Sequence, residues 1–391
     1  AGGGGAGLGL GLGWYVGGEE VLKTSELGKG GQCKVFLGEL LAGARYIGQR
    51  CFGVRYALGS RCAIKRTYED SPADTPRRLE WESTILGQIR DRGLPNLMQL
   101  LGYCPARQEV YLPLMHASVA DCLSTSTAKR HLRVTDADDV RRLVRASLVG
   151  LFSGLKHLHA MSVHHRDIKT DNLLLRSDPK APAFEHSQVL IADMGYSKFS
   201  GNASDVRDEL PGTHPFMAPE LLELRMERRE LENQLLKAAA AHDDEIGREL
   251  KALCSKECER ARKKVAIKRA LGALPPHLRD RFDAQSAALL HDCDALQWTL
   301  SDVYSAAIVA WKLFHEDALP FEHDRDPTTK VCTGQRPALE MRLVPPALRS
   351  LWGRVVEEKV LERAWHKNPP QRPTAKDMLD EVKKLLAARD D

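Results

Sequence analysis

The stretch His164-His165-Arg166-Asp167-Ile168-Lys169-Thr170-Asp171-Asn172 places a lysine two residues, and an asparagine five residues, after Asp167. An acid, a cation and an amide on one loop could accept a hydroxyl proton, steady a transferring phosphoryl group and ligate a metal. Downstream, Val189-Leu190-Ile191-Ala192-Asp193-Met194-Gly195 ends an apolar run in a second acid. A carboxylate there suits magnesium, which takes few protein carboxylates and completes its sphere with phosphate oxygens and water. Upstream, Cys62-Ala63-Ile64-Lys65 ends a short apolar run in a cation that could neutralise phosphate if an acid on a neighbouring helix holds it. Glu82, 17 residues on, is the candidate acid, and Glu80 competes from a different helical face. In Leu27-Gly28-Lys29-Gly30-Gly31-Gln32-Cys33-Lys34-Val35, glycines between two strand-like runs could fold backbone amides over a polyphosphate. Taken singly, each has a plainer alternative: a glycine-rich turn, a surface lysine, a surface glutamate.

These groups need elements to hold them. From about Glu19 to Met115, short apolar runs separated by glycine and charge predict strands, interrupted by one helix from about Thr75 to Ile89. From Val140 onward the pattern turns helical, with Leu143, Val144, Ser147, Leu148, Leu151, Leu155 and Leu158 at three- and four-residue steps. A strand-rich first part followed by a helix-rich second part is an α+β organisation. Residues 1–18 hold ten glycines and predict a flexible tail. Residues 222–297 form a charged segment closing at Pro275-Pro276, with Leu224, Leu231, Leu235 and Leu236, then Ile246, Leu250 and Leu253. That pattern predicts two amphipathic helices broken near His242 to Asp244, which could pair as a hairpin.

Composition narrows the partners. A 391-residue chain that is 43% hydrophobic can bury a sizeable core. Its 57 basic and 53 acidic residues leave a net charge of +4, too balanced to predict a nucleic-acid or membrane partner. No run of eighteen apolar residues occurs, so no transmembrane helix is expected. The nine cysteines form no Cys-x-x-Cys pair, which fits a reducing compartment and a cytoplasmic or nuclear location. Cys254 and Cys258, near His242, His291 and Cys293, have the wrong regularity for zinc and are expected to be structural or surface thiols. The chain begins with Ala1 rather than Met, as a fragment or processed form would.

Further motifs follow in order: Gly212-Thr213-His214-Pro215-Phe216-Met217-Ala218-Pro219-Glu220, then Ser301-Asp302-Val303-Tyr304-Ser305, Trp311, Pro320-Phe321 and Trp365, then Asn368-Pro369-Pro370-Gln371-Arg372-Pro373-Thr374. Together the set resembles the eukaryotic protein kinase family, serine/threonine type, from about Leu22 to Leu386 excepting 222–297. The resemblance implies a two-lobed domain over 19–388, with a β-rich N-lobe (19–114), a helical C-lobe (115–388) and a helical insertion at 222–297. It implies ATP and Mg as cofactors and serine- or threonine-bearing proteins as substrates. Gly28, Gly30 and Val35 would cover ATP, and Lys65 paired with Glu82 would hold its α- and β-phosphates. Ala63 and Leu174 would sandwich adenine, while the hinge from Leu112 to Met115 would hydrogen-bond it. Asp167 would be the catalytic base, Lys169 would support the phosphoryl group, and Asn172 and Asp193 would hold magnesium. Glu220 and Arg372 resemble a structural ion pair, and Asp302 an acid anchoring the catalytic loop from below. Lys169 and Thr213 are serine/threonine-type choices; Ser301 to Ser305 and Trp365 resemble the tyrosine-kinase-like subgroup.

Several positions depart from the family's pattern. Cys33 stands where a third glycine is usual; its thiol could be oxidised or alkylated, but a silent substitution is the favoured reading. Met194 replaces a phenylalanine, and its apolar packing should survive. Pro113 removes one amide from the presumed hinge. Glu209 could mimic a phosphate facing the basic pocket of Arg166, with Ser200 and Ser204 as alternative phosphosites. The 222–297 segment could dock a partner, mediate self-association or be solvated decoration. Within it, Arg260, Arg262, Lys263, Lys264, Lys268 and Arg269 could meet an acidic partner or simply face solvent. A pseudokinase scaffold, binding partners through the fold and insertion, is the competing expectation.

Overall fold

A computed structural model describes residues 21–29, 33–41, 50–52, 54–68, 75–124, 126–200, 210–242, 297–316 and 318–388, with 274–276, 279–280 and 283–285. The 1–18 tail, Gly30, Ser204, Glu209, the basic run at 260–269, Cys254, Cys258, His291, Cys293 and most of 243–296 lie outside the described residues.

Strands β1 (Val21–Lys29), β2 (Cys33–Leu40), β5 (Arg61–Thr67), β6 (Gly102–Cys104) and β7 (Glu109–Pro113) form an antiparallel sheet in the order β1-β2-β5-β7-β6. Strand periodicity of two decides what each face carries. In β5, Cys62 and Ile64 point into an apolar cluster with Val21, Leu40, Leu101, Cys104 and Tyr111. Ala63 and Lys65 therefore face the other way. At Gly38 a Cβ would lie 2.6 Å from the Ile64 side chain, so only glycine lets β2 approach there. The β2–β5 connection carries a ribbon, β3 (Arg50–Cys51) with β4 (Val54–Arg55), whose Cys51 is buried in the same cluster.

Helix α1 (Thr75–Asp91) buries Leu79, Glu82, Ile85, Leu86 and Ile89 along one face, while Glu80 is exposed. It runs two residues past the expected end at Ile89. Next come β8 (Ala117–Ser118), α2 (Val119–Leu123) and α3 (Ala137–Ala160), whose N-cap Asp136 accepts from the backbone of Asp138 and Asp139. In α3 a Cβ on Gly154 would sit 2.6 Å from the Asn96 carbonyl, so glycine lets the helix lie directly beneath that chain. Asn96 donates to the carbonyls of His186 and Val189, holding the strand that leads to Asp193.

That strand, β11 (Val189–Ile191), pairs with β10 (Leu173–Leu175), which pairs with β8. Strand β9 (Val163–His164) pairs with β12 (Lys198–Phe199). Helix α4 runs unbroken from Pro219 to His242, starting three residues before the predicted insertion, and His242 is the last described residue before the expected break. No proline or glycine separates 219 from 242 after the first residue, so nothing stops the helix at 222. Helices α5 (Trp298–Phe314), α6 (Pro327–Cys332), α7 (Arg349–Glu357), α8 (Val360–Ala364) and α9 (Ala375–Ala387) complete the helical part, with Trp352 and Trp365 fully buried among them. The sheet-and-helix content is mixed, as expected. Among the described residues no helix is long and apolar enough to cross a membrane.

Candidate active site

The site forms where the sheet meets the loops after β9 and β11. Lys65, on the open face of β5, reaches Glu82 Oε2 at 2.8 Å and Asp193 Oδ1 at 2.7 Å. Glu82 is buried because it shares the apolar face of α1, which settles its competition with Glu80. Burial alone would strip the proton from Lys65, yet the Asp193 and Glu82 carboxylates hold its affinity well above an ordinary lysine's. Burial raises Glu82, as does the charge of Asp193, against the opposing pull of Lys65. Asp193 moves the other way: Lys65 outweighs burial and lowers it to about 2.

Asn172 and Asp193 come together through strand register. Leu173 pairs with Ile191, and the Ala192 amide donates to the Asn172 carbonyl at 2.9 Å. The residue before one strand and the residue two beyond the other are thereby juxtaposed. Asn172 Nδ2 also donates to the Asp167 carbonyl at 2.8 Å.

Asp167 is buried, and its carboxylate accepts from Lys169 Nζ at 2.7 Å and from Thr213 Oγ1 at 2.8 Å. Lys169 also reaches Thr213 Oγ1 at 3.1 Å. Burial lowers the proton affinity of Lys169, but Asp167 and its hydrogen bond raise it further. The loop is fixed from below by Asp302, whose carboxylate accepts the backbone amides of His165 and Arg166 at 2.8 Å each and meets His159 Nε2 at 3.1 Å. His165 bonds the Ala192 carbonyl and accepts the Asp167 amide, joining the loops that carry Asp167 and Asp193. Arg166 and Asp193 both hold left-handed backbone, φ 72° and 63°, a strain typical of functional loops. The Arg166 guanidinium sits 4.4 Å from the Trp298 ring centre.

The remaining predicted residues flank this group. Val35 pairs with both Gly28 and Lys65, and Ala63 with Leu112. Val35, Ala63, Leu112, Met115 and Leu174 are all half-buried, as residues lining a cleft are. Pro113 ends β7 opposite Cys62. Burial pushes the Cys33 thiol up to about 11, with Lys65 opposing; a thiolate is what reacts, and burial disfavours it, in line with a silent substitution. Met194 is fully buried, with Ser197 Oγ 3.4 Å from its sulfur. Glu220 and Arg372 form a bidentate pair at 2.7 Å.

The sequence signalled Thr213 only as a substrate-type marker; its contact with Asp167 bridges 46 positions. The supports from His159 and His165, and Trp81 on α1, carried no signal of spacing.

A protein kinase domain profile matches residues 45–233. A probable serine/threonine-protein kinase of Dictyostelium discoideum is 31% identical over 186 residues, 45% of this chain and 18% of that protein. A probable L-type lectin-domain containing receptor kinase of Arabidopsis thaliana is 29% identical over 175 residues, 44% of this chain and 24% of its own. The hormonally up-regulated neu tumor-associated kinase of Homo sapiens is 29% identical over 198 residues, 48% of this chain and 25% of its own. The matched part of the chain spans no more than 25% of the length of these three relatives.

Proposed function

Because the chain belongs to the eukaryotic protein kinase family, we propose that it transfers the γ-phosphate of ATP to serine and threonine hydroxyls of protein substrates. In this reading the domain is two-lobed over 19–388, with the sheet and α1 above, the helices below, and 222–297 as an insertion able to dock a partner. The observation that carries it is the grouping of Lys65, Glu82 and Asp193 beside Asp167, Lys169 and Asn172, joined through His165 and Ala192.

The donor set fits a hard cation: a carboxylate on Asp193 and a side-chain amide on Asn172 offer oxygen ligands beside a lysine. Those two residues would hold magnesium, which when bound supplies positive charge against the phosphate oxygens. Lys65, kept in place by Glu82, adds charge at the α- and β-phosphates. Ala63 and Leu174 would enclose adenine, the Leu112–Met115 backbone would bond its edge, and Gly28, Gly30 and Val35 would cover the phosphates. Asp167 orients the acceptor hydroxyl and takes its proton as the oxygen attacks phosphorus. Lys169, bonded to Asp167 and Thr213, stands ready to neutralise the transferring group. Little covalent work is asked of the protein; alignment and charge compensation do most of it. Lys169 and Thr213 support serine and threonine as acceptors. The cysteine pattern of the sequence, with no Cys-x-x-Cys pair, is the ground for placing the protein in a reducing, cytoplasmic or nuclear setting.

Incubation of the full chain with γ-labelled ATP, magnesium and a peptide array tests this. Labelled phosphoserine or phosphothreonine, abolished in Asp167→Asn, is expected. Nucleotide binding without transfer in the unaltered chain would refute the enzyme and favour the scaffold.

A further inference from the structure

Glu82 meets Lys65 only if α1 keeps its position, and the residue before it faces a different neighbour. Trp81 Nε1 donates to the Ser197 carbonyl at 2.8 Å. Its ring meets Phe199 edge-on, centres 5.5 Å apart and planes at 86°. Nearly one turn earlier, the Arg78 guanidinium lies 5.4 Å from the Tyr196 ring. Two residues of α1's flank thus grip the segment just after Asp193. That segment is itself held to the catalytic loop. The Ser197 amide donates to the Met194 carbonyl at 3.0 Å, Ser197 Oγ lies 3.3 Å from the His165 carbonyl, and Lys198–Phe199 pair with Val163–His164.

We propose that Trp81 is a positioning residue that latches α1 to residues 196–199, so that Lys65, Glu82 and Asp193 assemble. The inference rests on the phosphotransfer reading and adds a residue that the sequence motifs do not include. Contacts to both the Ser197 backbone and the Phe199 ring fix the helix in translation and in rotation. Losing them leaves the apolar face of α1 packed but its register free. A shift of about 1 Å at an aligned site can cost about 100-fold in rate.

The test uses the full chain with Trp81→Phe, which keeps the ring and drops the N–H, and Trp81→Ala. Peptide phosphorylation should show kcat lowered about 2- to 10-fold in Trp81→Phe, the range for one lost hydrogen bond. The Ala variant should approach about 100-fold, with KM for ATP changed far less than kcat in both. Backbone hydrogen exchange across Thr75–Asp91 should quicken in Trp81→Phe while exchange in α3 and α5 stays unchanged. Wild-type kcat in Trp81→Ala, or unaltered α1 exchange in Trp81→Phe, overturns the latch. If the unaltered chain transfers no phosphate, the enzyme reading fails separately, and the exchange measurement still decides the latch.

Discussion

Glu220 and Glu223 lie three residues apart on α4, and each meets a cation between positions 367 and 372. Arg372 has a fully buried side chain, and Glu220's is 13% exposed. Both guanidinium Nη atoms donate to Glu220 at 2.7 Å, Ser301 Oγ donates to it at 2.6 Å, and Arg372's other bonds go to the carbonyls of Leu300, His366 and Lys367. Glu220→Gln keeps the shape, removes the charge and turns an amide NH₂ against a guanidinium N–H. Stranding one partner of a buried pair costs about 3–5 kcal/mol. The Glu223–Lys367 pair spans 3.6 Å with side chains 45% and 52% exposed, so solvent screening limits it to about 0–1 kcal/mol. Urea unfolding followed by tryptophan fluorescence reads both. With a slope of about 2 kcal/mol/M, Glu220→Gln should lower the midpoint by roughly 2 M. Glu223→Gln should barely move it. Adding Arg372→Met to Glu220→Gln removes the stranded charge and should restore part of the loss. If Glu220→Gln proves no less stable than Glu223→Gln, or the double variant loses stability additively, the buried-charge reasoning is wrong.

Two further outcomes follow from the same physics. Asp302 is buried; burial alone would raise its proton affinity, but hydrogen bonds from His159 and the Arg166 amide hold it below the ordinary carboxylate range. A depressed folded value means its stabilisation is present above the unfolded value near 3.9 and is lost as pH falls through the folded one. Unfolding free energies measured from pH 5 to pH 3 should therefore converge between wild type and Asp302→Asn, and a constant gap would refute it. The Cys33 thiol, raised to about 11 by burial, should react with iodoacetamide at pH 7.5 more slowly than glutathione, read by mass spectrometry of the labelled peptide. Labelling of Cys33 as fast as the free thiol would overturn that assignment.

Much of the site was legible in the chain because its signals are local. Alternation along Cys62-Ala63-Ile64-Lys65 determines that Lys65 faces away from the core, since side chains on a strand change sides at every residue. Helical spacing sets Glu82 on the line of Leu79 and Ile89 and leaves Glu80 outside it. The order of motifs pointed by resemblance to the remaining residues, Asp167, Asn172 and Asp193 among them. Other features had no local signal. The grip of Trp81 on Ser197 spans 116 positions, and the bond from Thr213 to Asp167 spans 46. Neither pair has a period or spacing of its own, because each exists only once α1, β12 and the catalytic loop are packed together. The suppressed thiol of Cys33 was likewise decided by the folded surroundings. Sequence patterns report which face of one element is buried; only tertiary packing determines which distant group waits on that face.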